Sequence, residues 1–244
     1  MAQRSAAERE QPRGYRFVDC RWALEDAQAG RNAYLAGHIP GAVFVDVATE
    51  LAGPAGEAGR HPLPAADAFA AAMSRAGIDE RTFVVAYGSL GGGERLWWLL
   101  RHAGHDQVAV IDLDAWRGPL ACGVEQAAAA RFEPRGRHGD TIELAELVAR
   151  REQLVVLDAR LPSRFRGEPN PLDRVPGRIP GAVNAPWNEP LPPLPEGEIA
   201  VYCGSGITAC VVLHRLALAG RDGRLYPGSW SEWERRPELP RASG

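Results

Sequence analysis

The heptapeptide Gly37-His38-Ile39-Pro40-Gly41-Ala42-Val43 returns as Gly177-Arg178-Ile179-Pro180-Gly181-Ala182-Val183, identical at six of seven positions. It does not return alone. Asp19-Cys20-Arg21 before the first copy is echoed by Asp158-Ala159-Arg160 before the second. An apolar run, a glycine-rich loop and an apolar-faced segment follow each copy, over residues 82–103 and 199–218. A tryptophan turn closes each unit, at Trp116-Arg117-Gly118-Pro119 and at Gly228-Ser229-Trp230-Ser231-Glu232-Trp233. Landmarks recurring in one order mean two copies of a single supersecondary plan. Short apolar runs alternate with helical stretches, so each copy is expected to be α/β, a mostly parallel sheet with helices on both faces. The 244 residues suffice for two small domains. We expect them at 1–122 and 140–244. The segment 123–139 is rich in Ala, Arg and Gly without apolar period and reads as a linker.

Taken in order, a loose N-terminal stretch should give way to a strand over 15–20 and a helix over 22–35. Residues 50–64 read as loop and 66–76 as helix, stopped by Gly77. Strands are expected over 82–87 and 108–113, with a helix over 95–102 between them. In the second copy, strands are expected over 154–157 and 199–202. A helix should begin near Thr208.

The chemistry concentrates where that last strand meets its helix, at Tyr202-Cys203-Gly204-Ser205-Gly206-Ile207-Thr208. Two glycines let the backbone turn tightly and aim successive N–H groups inward. The positive end of the following helix adds to that field. Gly204, Gly206, Ile207 and Thr208 thus form a cradle for negative charge with Cys203 at its mouth, where a thiolate is stabilised and nucleophilic.

Composition removes several alternatives. All 28 basic residues are arginine, so Schiff-base chemistry is excluded, and Gly88-Ser-Leu-Gly-Gly-Gly-Glu-Arg95 is not a phosphate loop of the Gly-Lys-Ser/Thr type. A formal charge of −3 gives no case for nucleic acid or an anionic membrane. No apolar run approaches a membrane span, and residues 1–15 lack a signal-peptide core, so a cytoplasmic protein is expected. Cys20, Cys122, Cys203 and Cys210 have neither the density of a disulfide scaffold nor the spacing of a zinc site, so no metal is expected.

These features together resemble the two-domain sulfurtransferases of the rhodanese family: the tandem repeat, the Gly-His-Ile-Pro-Gly-Ala turn, Arg60-His61-Pro62-Leu63-Pro64, Asp158-Ala-Arg with Arg164-Phe165-Arg166-Gly167, and the Cys203 loop. The resemblance implies two rhodanese-like domains, a reactive cysteine in the second and a silent first copy. Near Tyr87-Gly88, where the first copy would carry its cysteine, no thiol exists. Thiosulfate-preferring members have basic residues after the cysteine, whereas Cys-Gly-Ser-Gly-Ile-Thr is similar to the loop of 3-mercaptopyruvate sulfurtransferases. The resemblance implies a Cys-Ser-Asp relay, here Cys203, Ser205 and Asp46. It also implies a substrate carboxylate on Arg164. The family's second substrate arginine falls at about Leu172, leaving Arg166, Arg174 or Arg178 to substitute, with Arg174 taken as the candidate. His38 and His61 read as structural turn residues.

The implied reaction is a double displacement without metal or organic cofactor. A thiolate at Cys203 takes sulfur from 3-mercaptopyruvate, becomes a persulfide, and yields the outer sulfur to cyanide, a thiol or a reduced thioredoxin-like protein. A thiosulfate-preferring enzyme and a non-catalytic persulfide carrier or docking module are the alternatives. A cysteine phosphatase needs an arginine six residues past its cysteine, where this chain has Ala209. A Cys-His hydrolase would have only His138 and His214 to draw on in the second copy.

Overall fold

The computed structural model describes residues 14–244; the loose N-terminal stretch expected from the sequence lies almost wholly outside them. The first unit runs β1 (Gly14–Cys20), α1 (Ala29–Ala36), β2 (Val43–Phe44), α2 (Ala66–Arg75), β3 (Thr82–Gly88), α3 (Gly92–His102) and β4 (Val108–Val110). The second runs α4 (Leu144–Arg150), β5 (Val155–Asp158), α5 (Pro162–Phe165), β6 (Val183–Asn184), β7 (Ile199–Tyr202), α6 (Ala209–Leu218), β8 (Arg224–Leu225) and α7 (Ser229–Trp233). Each unit builds a four-stranded sheet, in the orders β2-β1-β3-β4 and β6-β5-β7-β8. Every pairing is parallel, and the two orders are the same once the repeat is superposed.

The repeated motifs are explained by a shared bonding scheme. Arg21 forks onto Asp19 and gives a further Nη2 bond to the carbonyl of Gly37 at 2.6 Å. Arg160 does the same with Asp158 and the carbonyl of Gly177 at 2.8 Å. In each copy, therefore, the Asp-x-Arg at the end of the first central strand holds the start of the Gly-x-Ile-Pro-Gly turn. The next residue of the turn is caught by a tyrosine: the Ile39 amide donates to Tyr87 Oη, and the Ile179 amide to Tyr202 Oη. Gly41 and Gly181 then take φ of +77° and +82° with open space where a Cβ would stand. Glycine is needed there for backbone conformation, not for room.

Side chains alternate across each strand, and the alternation decides what the sheets share. Val18, Cys20, Val84 and Ala86 of the first sheet and Leu157, Ala159, Val201 and Cys203 of the second belong to one continuous buried cluster with α3 and α6. The far face of the second sheet packs Val156, Ala200 and Tyr202 on Trp230 and Trp233 of α7. The two units are thus joined through a common apolar layer, and the C-terminal ends of their central strands meet beside it.

The expected helix over 22–35 begins only at Ala29. Residues before it are held by other bonds: the amide of Trp22 donates to Ser89 Oγ, whose hydroxyl returns to the Trp22 carbonyl. The segment 123–139 has no helix or strand, yet it is fastened along the first unit. Phe132 is buried edge-on to Phe69, and the amides of Ala130 and Arg135 donate to Ser74 and Ala103. One buried residue in seventeen leaves no periodic signal, although it suffices to dock the segment. No helix among the described residues is long and apolar enough to cross a membrane.

Candidate active site

β7 delivers Cys203 to the end of the second sheet, where the chain must turn to enter α6. The turn is fixed from outside. The carbonyls of Cys203 and Gly204 accept the amides of Trp230 and Ser231 at 2.9 and 3.0 Å, so α7 draws both carbonyls outward. The amide of Cys203 donates to Ser229 Oγ at 3.2 Å. With its carbonyls held away, the loop presents N–H groups inward, and the Gly206 amide lies 3.1 Å from Cys203 Sγ. Gly206 has φ +84°, and a Cβ there would stand 2.7 Å from the Pro227 carbonyl. Cys203 itself is 2% exposed. Of the cradle expected over Gly204, Gly206, Ile207 and Thr208, the Gly206 amide is the one bonded to the sulfur.

Two guanidinium groups close over it. At Gly204 a Cβ would lie 2.8 Å from Arg164 Nη2 and 3.0 Å from Arg60 Nη2. Arg164 comes from α5 and is forked onto Asp173, which also receives Arg160. Burial pushes the Asp173 carboxyl up, but the bond and charge of Arg164, with the charge of Arg160, outweigh it and hold the group below the usual range. Arg60 comes from the first unit. Its Nη1 donates to the carbonyl of Leu172 at 2.6 Å, and its backbone amide donates to Ser231 Oγ. Arg60 has no ion-pair partner among the described residues, and burial together with the like charge of Arg164 lowers its pKa.

Ser205 is 8% exposed, and its Oγ lies 2.8 Å from His61 Nδ1. Burial, then the charges of Arg95 and Arg60, push the His61 pKa down to about 4, so the ring is neutral at pH 7. His61 is therefore not the plain turn residue expected from the sequence. The expected partner, Asp46, is occupied otherwise: its Oδ1 accepts the amides of Ala48 and Thr49 at 2.8 and 2.9 Å and caps the turn that ends at Leu51. A carboxylate that satisfies its own turn is the ordinary local competitor to a long-range role.

The remaining arginine candidates stand apart from the cradle. Arg166 pairs with Glu168 at the surface. Arg178 stacks over Phe165 and binds the carbonyl of Gly244. Arg174 is exposed. It is Arg60, docked on Leu172, that brings the second cation to the loop. Sequence reasoning missed both Arg60 and His61 because they belong to the other copy. The signal available was the motif Arg60-His61-Pro62-Leu63-Pro64, whose prolines stiffen a loop that must hold a fixed shape. Among the described residues no three His, Cys, Asp or Glu side chains group as a metal site requires.

Among the described residues, the first unit places no cysteine where the second has Cys203. Tyr87 and Tyr202 are equivalent by their bonds to Ile39 and Ile179, which sets Gly88 opposite Cys203. A Cβ at Gly88 would stand 2.7 Å from the Cys20 carbonyl and 2.8 Å from the Gly93 amide nitrogen. Neither a thiol nor space for one exists there.

The profile of the rhodanese-like domain matches residues 3–117 and 141–236. A probable 3-mercaptopyruvate sulfurtransferase of Pseudomonas aeruginosa is 39% identical over 93% of this chain and 92% of its own length. A putative thiosulfate sulfurtransferase of Mycobacterium tuberculosis is 38% identical, covering 93% of this chain and 90% of its own. Among solved structures, the 3-mercaptopyruvate sulfurtransferase from Leishmania major superposes with a TM-score of 0.79 at 28% identity, over 92% of this chain and 72% of that one. SseA from Escherichia coli superposes at 0.72 and 29% identity, over 89% and 93%.

Proposed function

This chain belongs to the rhodanese family and is a sulfurtransferase, and from that premise we propose that it takes sulfur from 3-mercaptopyruvate onto Cys203 and passes it to a thiophilic acceptor. The observation that supports this donor is the charge balance over Gly204. Arg164 is neutralised by Asp173, and His61 is neutral, so Arg60 is the one cation at the cradle mouth left without a carboxylate among the described residues. One net charge matches one carboxylate. The second charge of thiosulfate finds no such counterpart.

In this reading the donor's carboxylate lies between Arg60 and Arg164, with its keto oxygen toward Ser205. Cys203 thiolate attacks the donor's sulfur. The new S–S bond forms as the donor's C–S bond breaks, and its electron pair passes into the enolate of pyruvate. With the proton on His61 Nδ1, the ring donates a hydrogen bond to Ser205 Oγ, and the hydroxyl relays the proton released from the donor's S–H group to the enolate, leaving the persulfide as its anion and Ser205 and His61 neutral. The persulfide left on Cys203 rests against the Gly206 amide and the start of α6. Attack on its outer sulfur by cyanide, a small thiol or a thioredoxin-like protein restores the thiolate. Asp46 acts one step back, by shaping the turn that carries Leu51. The four free cysteines fit a reducing compartment, which favours the cytoplasm.

The alternative is thiosulfate as donor, favoured by two guanidiniums at the cradle. Steady-state rates with the two donors side by side separate them. A charge-assisted contact of about 1.5–3 kcal/mol, realised in the transition state, predicts a preference for mercaptopyruvate of roughly ten- to a hundredfold in kcat/KM. Equal specificity constants contradict the donor assignment.

A further inference from the structure

Beneath the Cys203 loop lies a second unpaired cation, supplied by the first unit. Arg95, on α3, is fully buried at 0% exposure and forms no ion pair among the described residues. Its guanidinium instead donates to four carbonyls: Nε to Leu51 at 3.1 Å, Nη1 to Gly206 at 3.1 Å, and Nη2 to His61 and Pro62, each at 3.3 Å. A guanidinium taken out of water without a carboxylate is costly to keep. Here it grips three segments of the site at once: the turn after Asp46, the Arg60–Pro64 loop and the cradle.

The Gly206 contact bears on the chemistry. In a trans peptide the C=O and N–H point in opposite directions, and no cis bond occurs among the described residues. Holding the Gly206 carbonyl toward Arg95 therefore turns the Ile207 N–H to the inner side of the cradle. There the Gly206 N–H already lies 3.1 Å from Cys203 Sγ. The same peptide dipole conducts the field of the guanidinium toward the sulfur.

We propose that Arg95 is a positioning residue for sulfur transfer, a buried cation lent by the first unit that fixes the Gly206–Ile207 peptide and balances the negative charge on Cys203 as thiolate and persulfide. This rests on Cys203 as the sulfur carrier but not on the identity of the donor. The other charged or titratable groups facing this region are Arg60 and His61, Arg164 on α5 with its loop partner Asp173, Glu94 on α3 and Cys210 on α6. Burial raises Glu94, and burial foremost raises Cys210 to about 12, while His61 titrates near 4. His61 and Cys210 therefore stay unchanged across the neutral range.

The test follows alkylation by iodoacetamide, an uncharged probe, against pH, read on the Cys203 peptide by mass spectrometry because Cys122 is exposed. In Arg95→Gln the midpoint of the profile should move up by about one pH unit. Arg95→Lys, which keeps the charge but not the fork, should move it less. Turnover in Arg95→Gln should fall by the same factor with mercaptopyruvate and with thiosulfate, because the effect lies on the sulfur. An unmoved profile in a folded Arg95→Gln, or a loss confined to one donor, overturns the proposal. Should Arg95→Gln not fold, Arg95→Lys against the parent decides, and an unmoved profile there overturns it equally. If mercaptopyruvate proves not to be the donor, the alkylation profiles still judge Arg95.

Discussion

His61 Nδ1 meets Ser205 Oγ at 2.8 Å, one residue from each copy of the repeat, so the hydroxyl beside the cysteine is oriented from the opposite unit. A site of this kind cannot be assembled by the second unit alone. The first unit brings His61, Arg60 and Arg95 into contact with the second.

That pairing predicts a donor-selective loss. Ser205→Ala and His61→Asn should each lower kcat with mercaptopyruvate by about a hundredfold, the usual scale of a positioned proton donor. Thiosulfate leaves as sulfite and forms no enolate that must be protonated, so its kcat should fall less than about threefold by the same reasoning. Equal losses with both donors would remove Ser205 from proton transfer.

His61 also predicts how stability depends on pH. Its folded pKa of about 4 lies below the ordinary 6.5, so between those values the unfolded chain binds the extra proton. Stability linked to His61 is therefore fully present above about pH 6.5 and is lost as pH falls toward 4. Denaturant unfolding of the parent should show a steeper decline over that window than His61→Asn. Parallel curves would contradict the burial of a neutral ring.

The two arginine candidates can be ranked directly. Arg60→Gln should raise KM for mercaptopyruvate by roughly tenfold or more, the worth of one charge-assisted contact. Arg174→Gln, at an exposed position, should change it less than about twofold, as surface substitutions generally do. The reverse order would return the carboxylate to Arg174.

A cysteine placed at Gly88 should not make the first unit a second sulfur carrier. Gly88→Cys drives a Cβ to 2.7 Å from the Cys20 carbonyl and 2.8 Å from the Gly93 nitrogen, both backbone atoms. Loss of stability, with no second persulfide in the folded fraction, is expected. A stable variant carrying two sulfane sulfurs would contradict it.

Much of this was legible in the chain because it is written twice. The Asp-x-Arg and Gly-x-Ile-Pro-Gly motifs bond to one another in each copy, so their recurrence carried the fold and the sheet order with it. The Cys203 loop was legible because it is local, a strand, a loop and a helix within twenty residues. What the sequence hid lies between the copies. Arg60, His61 and Arg95 act through contacts more than a hundred residues away, as in Arg60 with Leu172 and Arg95 with Gly206. Asp46 misled for the converse reason, since an aspartate at a turn satisfies its nearest amides first.

The central claim is that Cys203 carries sulfur taken from mercaptopyruvate. The most direct measurement incubates the protein with mercaptopyruvate and no acceptor, then maps the modified peptide and counts the pyruvate released. One added sulfur atom on the Cys203 peptide, one equivalent of pyruvate, and one equivalent of thiocyanate on later addition of cyanide are expected, with none of the three in Cys203→Ser. Sulfur on Cys20, Cys122 or Cys210 instead, or pyruvate released undiminished by Cys203→Ser, would contradict the account.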